Sequence, residues 1–275
     1  MRKLLLVPLL PLALGACSTL PRGGYYSNDG PPRRDVDLTR VADPIPHPEP
    51  LSADGNEPYS VFGHTYYPMK DARGYRERGI ASWYGTKFHG RRTSSGEAYD
   101  MYAMTAAHCT LPLPTYLRVS NLRNGRSVIV RVNDRGPFMH NRLIDLSYAA
   151  AAKLGIIGTG TGLVEIEAID TANQNPMVMR ASANDAAVEA RVADDEPPPQ
   201  LYLQVGAFNN WENAVSLRAR LTQAHFEPVL IQTEVRNNVP LYRVRVGPLA
   251  SVNESDRLIE RASAYGFADA RVVIE

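Results

Sequence analysis

Tyr116-Leu117-Arg118-Val119, then Asn124-Gly125, then Val128-Ile129-Val130-Arg131-Val132-Asn133-Asp134-Arg135-Gly136-Pro137-Phe138: on this stretch the reading of the fold turns. Two short apolar runs flank an Asn-Gly pair, the strongest short-range signal for a β-hairpin. The second run ends in a carboxylate, a guanidinium and two backbone-bending residues. Arg135 can orient Asp134, and Gly136-Pro137 turns the chain so that neither side chain need enter a core. Asp134 is therefore a candidate for chemistry. Its alternatives are a structural turn with Arg135 or a pairing with Arg142.

Working outward, Ser147 is a plausible N-cap for a helix over Ala149 to Leu154 that stops at Gly155. Leu163 to Ile169 alternates apolar and acidic residues as a closing strand. Short strands, one helix and many turns predict a small, mainly β barrel, although periodicity does not say which kind.

Further motifs surround the opening stretch: Gly79-Ile80-Ala81-Ser82-Trp83-Tyr84-Gly85, Thr93-Ser94-Ser95-Gly96-Glu97, Thr105-Ala106-Ala107-His108, Leu111-Pro112 and Ile144-Asp145-Leu146-Ser147. In this order and spacing they resemble the rare lipoprotein A family of peptidoglycan lytic transglycosylases, over residues 79–169. The resemblance implies a six-stranded double-psi β-barrel. It also implies a reaction in which the C6 hydroxyl of N-acetylmuramic acid attacks its own C1 and leaves a 1,6-anhydro end. Such chemistry needs a proton for the departing oxygen and stabilisation of an oxocarbenium-like state, which carboxyl groups supply. One residue can act first as acid and then as base.

The resemblance places the catalytic pair on Glu97 and Asp134, with His108 as a third polar member. Read by themselves, Glu97 is equally an exposed loop acid and His108 a core histidine. Asp145, flanked by Ile144 and Leu146, reads as a buried structural acid that can also hold Arg135. Arg135, Trp83, Tyr84 and Phe138 are candidates for substrate contact, the aromatics by stacking on sugar rings or, equally, as barrel core. Zinc-type Cys/His spacing and phosphate-binding loops do not occur, so no metal or other cofactor is implied.

The amino terminus has a basic start at Arg2-Lys3, an apolar run from Leu4 to Leu14 and the lipobox-like Leu14-Gly15-Ala16-Cys17. Residues 1–16 read as an export signal, too short and too proline-broken to span a membrane, and Cys17 as the lipidation site. Ser18 after the cysteine suggests a lipoprotein on the periplasmic face of the outer membrane, in contact with the bilayer through Cys17. Cys109, the second of two cysteines, should be an unpaired, buried thiol. The net charge of +1 becomes −1 once Arg2 and Lys3 are lost, which gives no field for nucleic acid. Residues 17–78, crowded with Pro, Gly and charge, read as a disordered tether, and 170–199 as a linker.

Residues 200–275 carry a pseudo-repeat of strand, helix and strand, which predicts a ferredoxin-like (RNP-like) α+β layer. Gln204-Val205-Gly206-Ala207-Phe208 and Tyr242-Arg243-Val244-Arg245-Val246-Gly247-Pro248 resemble the SPOR domain, which implies binding of peptide-free (denuded) glycan strands at the division septum. Alternation puts Leu203, Val205, Val244 and Val246 against the helices. It leaves Tyr202, Gln204, Leu241, Arg243 and Arg245 toward solvent, with Gln204, Leu241 and Arg243 as glycan contacts. Two other functions stay open at this point, a noncatalytic expansin-like glycan binder and a hydrolase that releases reducing ends. Protein partners are not legible.

Overall fold

The computed structural model describes residues 28–172 and 198–275, apart from 34, 35, 39, 140 and 237. The signal segment, Cys17 and most of the linker lie outside the described residues. Two strands, β1 (Tyr59–Val61) and β2 (His64–Tyr66), form a small hairpin. The barrel is built from β3 (Arg76–Tyr84), β4 (Thr105–Ala107), β5 (Thr115–Asn121), β6 (Ser127–Asp134), β7 (Ile144–Ser147) and β8 (Gly162–Ala168). It closes in the order β3-β7-β4-β6-β5-β8, with β3/β7 and β4/β6 parallel and the other pairs antiparallel. This is the double-psi β-barrel. Alternation along β6 sends Val128, Val130 and Val132 inward to meet Leu117, Val119, Leu146 and Val164.

The expected hairpin is β5/β6, turned at Gly125 in the left-handed region. The expected helix is α1 (Tyr148–Leu154), whose first turn is capped by the Ser147 hydroxyl and which ends at left-handed Gly155. Ala149, Ala150 and Ala151 are buried against the barrel.

The tether reading needs correction over the described part of residues 28–78. This segment wraps the barrel. Asp43 accepts from the Ile129 amide at 2.7 Å and pairs with Lys153. Glu49 takes both prongs of Arg131 at 2.8 Å, and Asn56 exchanges hydrogen bonds with the Leu113 backbone. At its start, Asp29 accepts from the amides of Gly85 and Lys87. Gly85 must be glycine there, because a Cβ would lie 2.1 Å from the Gly30 carbonyl oxygen. Docking by single polar side chains and by the scattered apolar residues Leu38, Val41, Ala72 and Tyr75 leaves no apolar periodicity, so composition alone reads as unfolded. The barrel also begins at Arg76 rather than 79, where Glu77 and Arg78 already pair with β8.

The C-terminal unit runs β9 (Leu201–Phe208), α2 (Trp211–Gln223), β10 (Val229–Arg236), β11 (Val239–Leu249), α3 (Val252–Ala264) and β12 (Arg271–Ile274). Its antiparallel sheet has the order β10-β11-β9-β12, the ferredoxin-like arrangement of a SPOR domain. Leu201, Leu203, Val244 and Val246 meet Leu217, Leu221 and Ala262 of the helices. A bulge at Val205 shifts the alternation and brings Gly206, rather than a side chain, against Leu217.

The two units touch. Ile80 and Leu163 on the outside of the barrel join the C-terminal core, and Arg142 makes a two-pronged ion pair with Asp256 of α3 at 3.0 and 2.7 Å.

Candidate active site

Strand alternation would have buried Asp134 beside Val132, but β6 carries a bulge. Thr105 and Ala106 pair with Arg131 and Val132, and then Ala107 pairs with Asp134, so that Asn133 is the extra residue. The bulge moves Asp134 to the outer face, opposite Ala107. Next along the sheet, Ala107 pairs with Asp145 of β7, and Asp145 with Ser82 of β3. Ser82, Asp145, Ala107 and Asp134 thus form one row across four neighbouring strands, at the floor of a cleft of about 540 Å³ that all four line.

Asp134 is held by the Ser94 amide, the Ser94 hydroxyl and the Arg135 amide, each at 2.8 Å from Oδ1. Among the described residues no donor meets its Oδ2. Asp145 accepts from the Ser82 hydroxyl. Burial pushes its carboxyl up to about 6; the Ser82 bond and Arg142 oppose the rise, and the charges of Asp29 and Asp134 add to it. Two carboxyl groups, that of Asp145 with a raised pKa, therefore flank the methyl of Ala107. Strand spacing sets their backbones about 10 Å apart. Asp145, read from the sequence as a buried structural acid, lines the cleft, and its hydrogen bond goes to Ser82 rather than to Arg135.

Of the expected members, Glu97 and His108 do not line the cleft, whereas Arg135, Trp83, Tyr84 and Phe138 border it with differing exposure. Arg135 borders the cleft but is only 8 % exposed. Its guanidinium donates to the carbonyls of Gly55 (2.9 Å), His108 (3.0 Å) and Leu111 (2.6 Å) and to Asn56 Oδ1. It ties strands and wrap together and has little left for substrate.

His108 is buried outside the cleft. Its Nδ1 accepts from the amides of Thr110 and Leu111, which leaves Nε2 to donate to the Tyr75 hydroxyl at 3.1 Å. Burial, helped by Arg135, pushes its pKa down to about 4, so it is a neutral strut at pH 7. Trp83 is 0 % exposed and packs edge-on against Tyr148, a core residue rather than a sugar platform. Tyr84 is nearly buried in a stack on Tyr99 and shows the cleft only an edge. Phe138 does line the cleft.

Glu97 sits on the exposed rim of the loop that supplies Ser94. Its carboxylate accepts from Arg131 at 2.8 and 3.0 Å and from Asn133 Nδ2 at 2.8 Å, and so grips the bulge residue beside Asp134. It does not line the cleft with Asp134 and Asp145. Cys109 is half-buried rather than fully buried as expected; it donates to the Pro137 carbonyl, and burial raises its thiol to about 11.

On the open face of the C-terminal sheet, Gln204 and Arg245 are buried, contrary to expectation. Gln204 Oε1 accepts from Arg243 at 3.3 Å and Arg245 at 3.5 Å. Arg243 also bonds Glu234, and Arg245 bonds Gln232 and Glu275. These long side chains lace across the face and cover Gln204, while Leu241 stays partly exposed.

A lytic transglycosylase family of the double-psi barrel class matches residues 76–167, and the SPOR domain matches 197–272. The endolytic peptidoglycan transglycosylase RlpA of Pseudomonas aeruginosa is 47 % identical over 280 residues, covering 85 % of this chain and 82 % of its own. RlpA of Vibrio cholerae is 39 % identical over 271 residues, with 98 % and 96 % covered. The crystal structure of the P. aeruginosa RlpA SPOR domain aligns with 40 % identity and a TM-score of 0.26, over 26 % of this chain and 96 % of that one. With a barrel, a SPOR domain and relatives similar along most of its length, the chain belongs to the RlpA family of endolytic peptidoglycan transglycosylases.

Proposed function

We propose that the cleft cuts peptide-free glycan strands between N-acetylmuramic acid and N-acetylglucosamine and leaves 1,6-anhydro ends. The row Ser82, Asp145, Ala107, Asp134 carries this reading. Asp145 gives its proton to the glycosidic oxygen as the bond to C1 breaks. Asp134 takes the proton of the C6 hydroxyl as its oxygen bonds to C1, so the strand is cut without water. Ser94 orients the base. Glu97 acts as a positioning residue through Asn133, and His108 and Arg135 hold the frame.

The SPOR domain brings the chain to denuded glycan at the septum, with Leu241 and the Arg243 layer toward the strand. Lipid on Cys17 holds it at the periplasmic face of the outer membrane. The test is to incubate the full chain with peptide-free glycan strands and identify products by mass. Anhydro ends support the reading, reducing ends would make the enzyme a hydrolase, and intact strands would leave a glycan binder. Deletion of 200–275 should abolish septal concentration of a fluorescent fusion, and a fusion that stays concentrated would sink the targeting assignment.

A further inference from the structure

The cleft has a wall that lies upstream of the matched barrel segment. The β1–β2 hairpin contributes Val61, Phe62, His64 and Tyr66 to the lining that also holds Asp134 and Asp145. Its turn is Phe62-Gly63, both in the left-handed region (φ 49° and 80°), the two-residue turn that suits glycine or asparagine. A phenylalanine there is disfavoured twice: its backbone is in a region that bulky residues avoid, and its ring is 74 % exposed. Neither the turn nor the core asks for it.

The base of the hairpin is tied to the active-site strand. The Tyr59 hydroxyl donates to the Cys109 carbonyl at 2.8 Å, Tyr59 stacks on Tyr66 at 5.1 Å, and both rings pack against Phe138 at 6.1 and 5.8 Å. Phe138 follows Asp134 by four residues, so the hairpin and the row of carboxylates share one support.

We propose that this hairpin is a sugar-stacking wall of the cleft, in which Phe62 covers the apolar face of an N-acetylhexosamine ring next to the scissile bond. This rests on the glycan reading of the cleft given above. A pyranose ring offers C–H groups on one face and hydroxyls at its edge. An exposed aromatic beside a polar floor complements that pattern and restricts the ring's position before proton transfer. Such contact is made equally in ground and transition states, so it lowers KM and leaves kcat alone.

The full chain with Phe62→Ala should show KM for peptide-free glycan raised roughly 2- to 12-fold, with kcat within about twofold, and Phe62→Trp should restore it. Unchanged KM in F62A would overturn the proposal. An independent readout places 4-fluorophenylalanine at position 62 and follows its ¹⁹F resonance as a peptide-free glycan tetrasaccharide is added. A saturable shift supports stacking even if the wild type fails to cleave, in which case the catalytic reading alone falls. Cleavage with neither a shift nor a KM change removes the hairpin and leaves the catalytic row standing.

Discussion

Asp134 and Asp145 lie on either side of Ala107, each paired to it from an adjacent strand, so the two acids share one face of the barrel with a single methyl between them. A larger side chain at 107 would fill the gap between the two acids. Both acids stand on barrel strands, and Ser94 reaches Asp134 from a loop.

Asp145→Asn removes the proton donor and should lower turnover about 10²- to 10⁴-fold. In the wild type the same acid sets the alkaline limb. With its carboxyl raised to about 6, the rate should fall as pH rises through that value. A product-release assay across pH 4.5 to 8 checks this, and a rate that is flat through pH 6 would take the donor role from Asp145.

The same substitution should stabilise the fold at neutral pH. A carboxyl raised in the folded state costs nothing below about pH 4 and its full penalty above about 6, so D145N should gain about 1 to 3 kcal/mol at pH 7. His108 has the opposite sign. Its pKa is depressed on folding, so its contribution is present above about 6.5 and is lost as pH falls toward 4. The two terms offset one another in the wild type, and D145N should lose stability on acidification more steeply. Urea unfolding at pH 4.5, 5.5 and 7 reads both effects.

Ser94→Ala removes one of the three donors to Asp134 Oδ1 and should lower kcat about 10- to 100-fold, with KM unchanged. Asp134→Asn should abolish cleavage and leave septal localisation intact. Wild-type turnover in D134N would remove Asp134 from the mechanism.

Arg135→Lys keeps the charge but not the fork that reaches three carbonyls, and should destabilise the barrel by about 2 to 4 kcal/mol. Because the guanidinium is buried and its bonds go to the frame, folded R135K should keep its KM. A raised KM at unchanged stability would restore Arg135 as a substrate contact.

Asp256→Arg should separate the two units by leaving Arg142 buried against like charge, at a cost of about 3 kcal/mol in docking. Small-angle scattering should then report a larger radius of gyration. The double swap R142D/D256R should return it to the wild-type value.

Where structure follows local pattern, the sequence was legible. The Asn124-Gly125 hairpin, the helix between Ser147 and Gly155 and the strand-helix-strand repeat of the last segment all stand close to where periodicity and capping placed them. Where structure depends on a partner strand, it was not. The bulge at Asn133 exists only in the pairing of β6 with β4, and without it Asp134 would point into the core. Asp145 among apolar neighbours reads as buried whether or not it faces a cleft. Gln204 lost its exposure to Arg243 and Arg245, whose length, not their alternation, decided the outcome. Phe62 went unnoticed because the aromatics of its segment, Tyr59, Phe62, Tyr66 and Tyr67, follow no periodicity that marks a core or a cleft.

Asp29, seated on the amides of Gly85 and Lys87, changes how far the enzyme can travel. Only eleven residues separate Cys17 from it, a span of roughly 40 Å at full stretch, whereas a leash running on to Arg78 would extend roughly 200 Å. With lipid on Cys17, as proposed, the catalytic barrel is confined to the layer of cell wall closest to its bilayer, and material deeper in the wall must come to it.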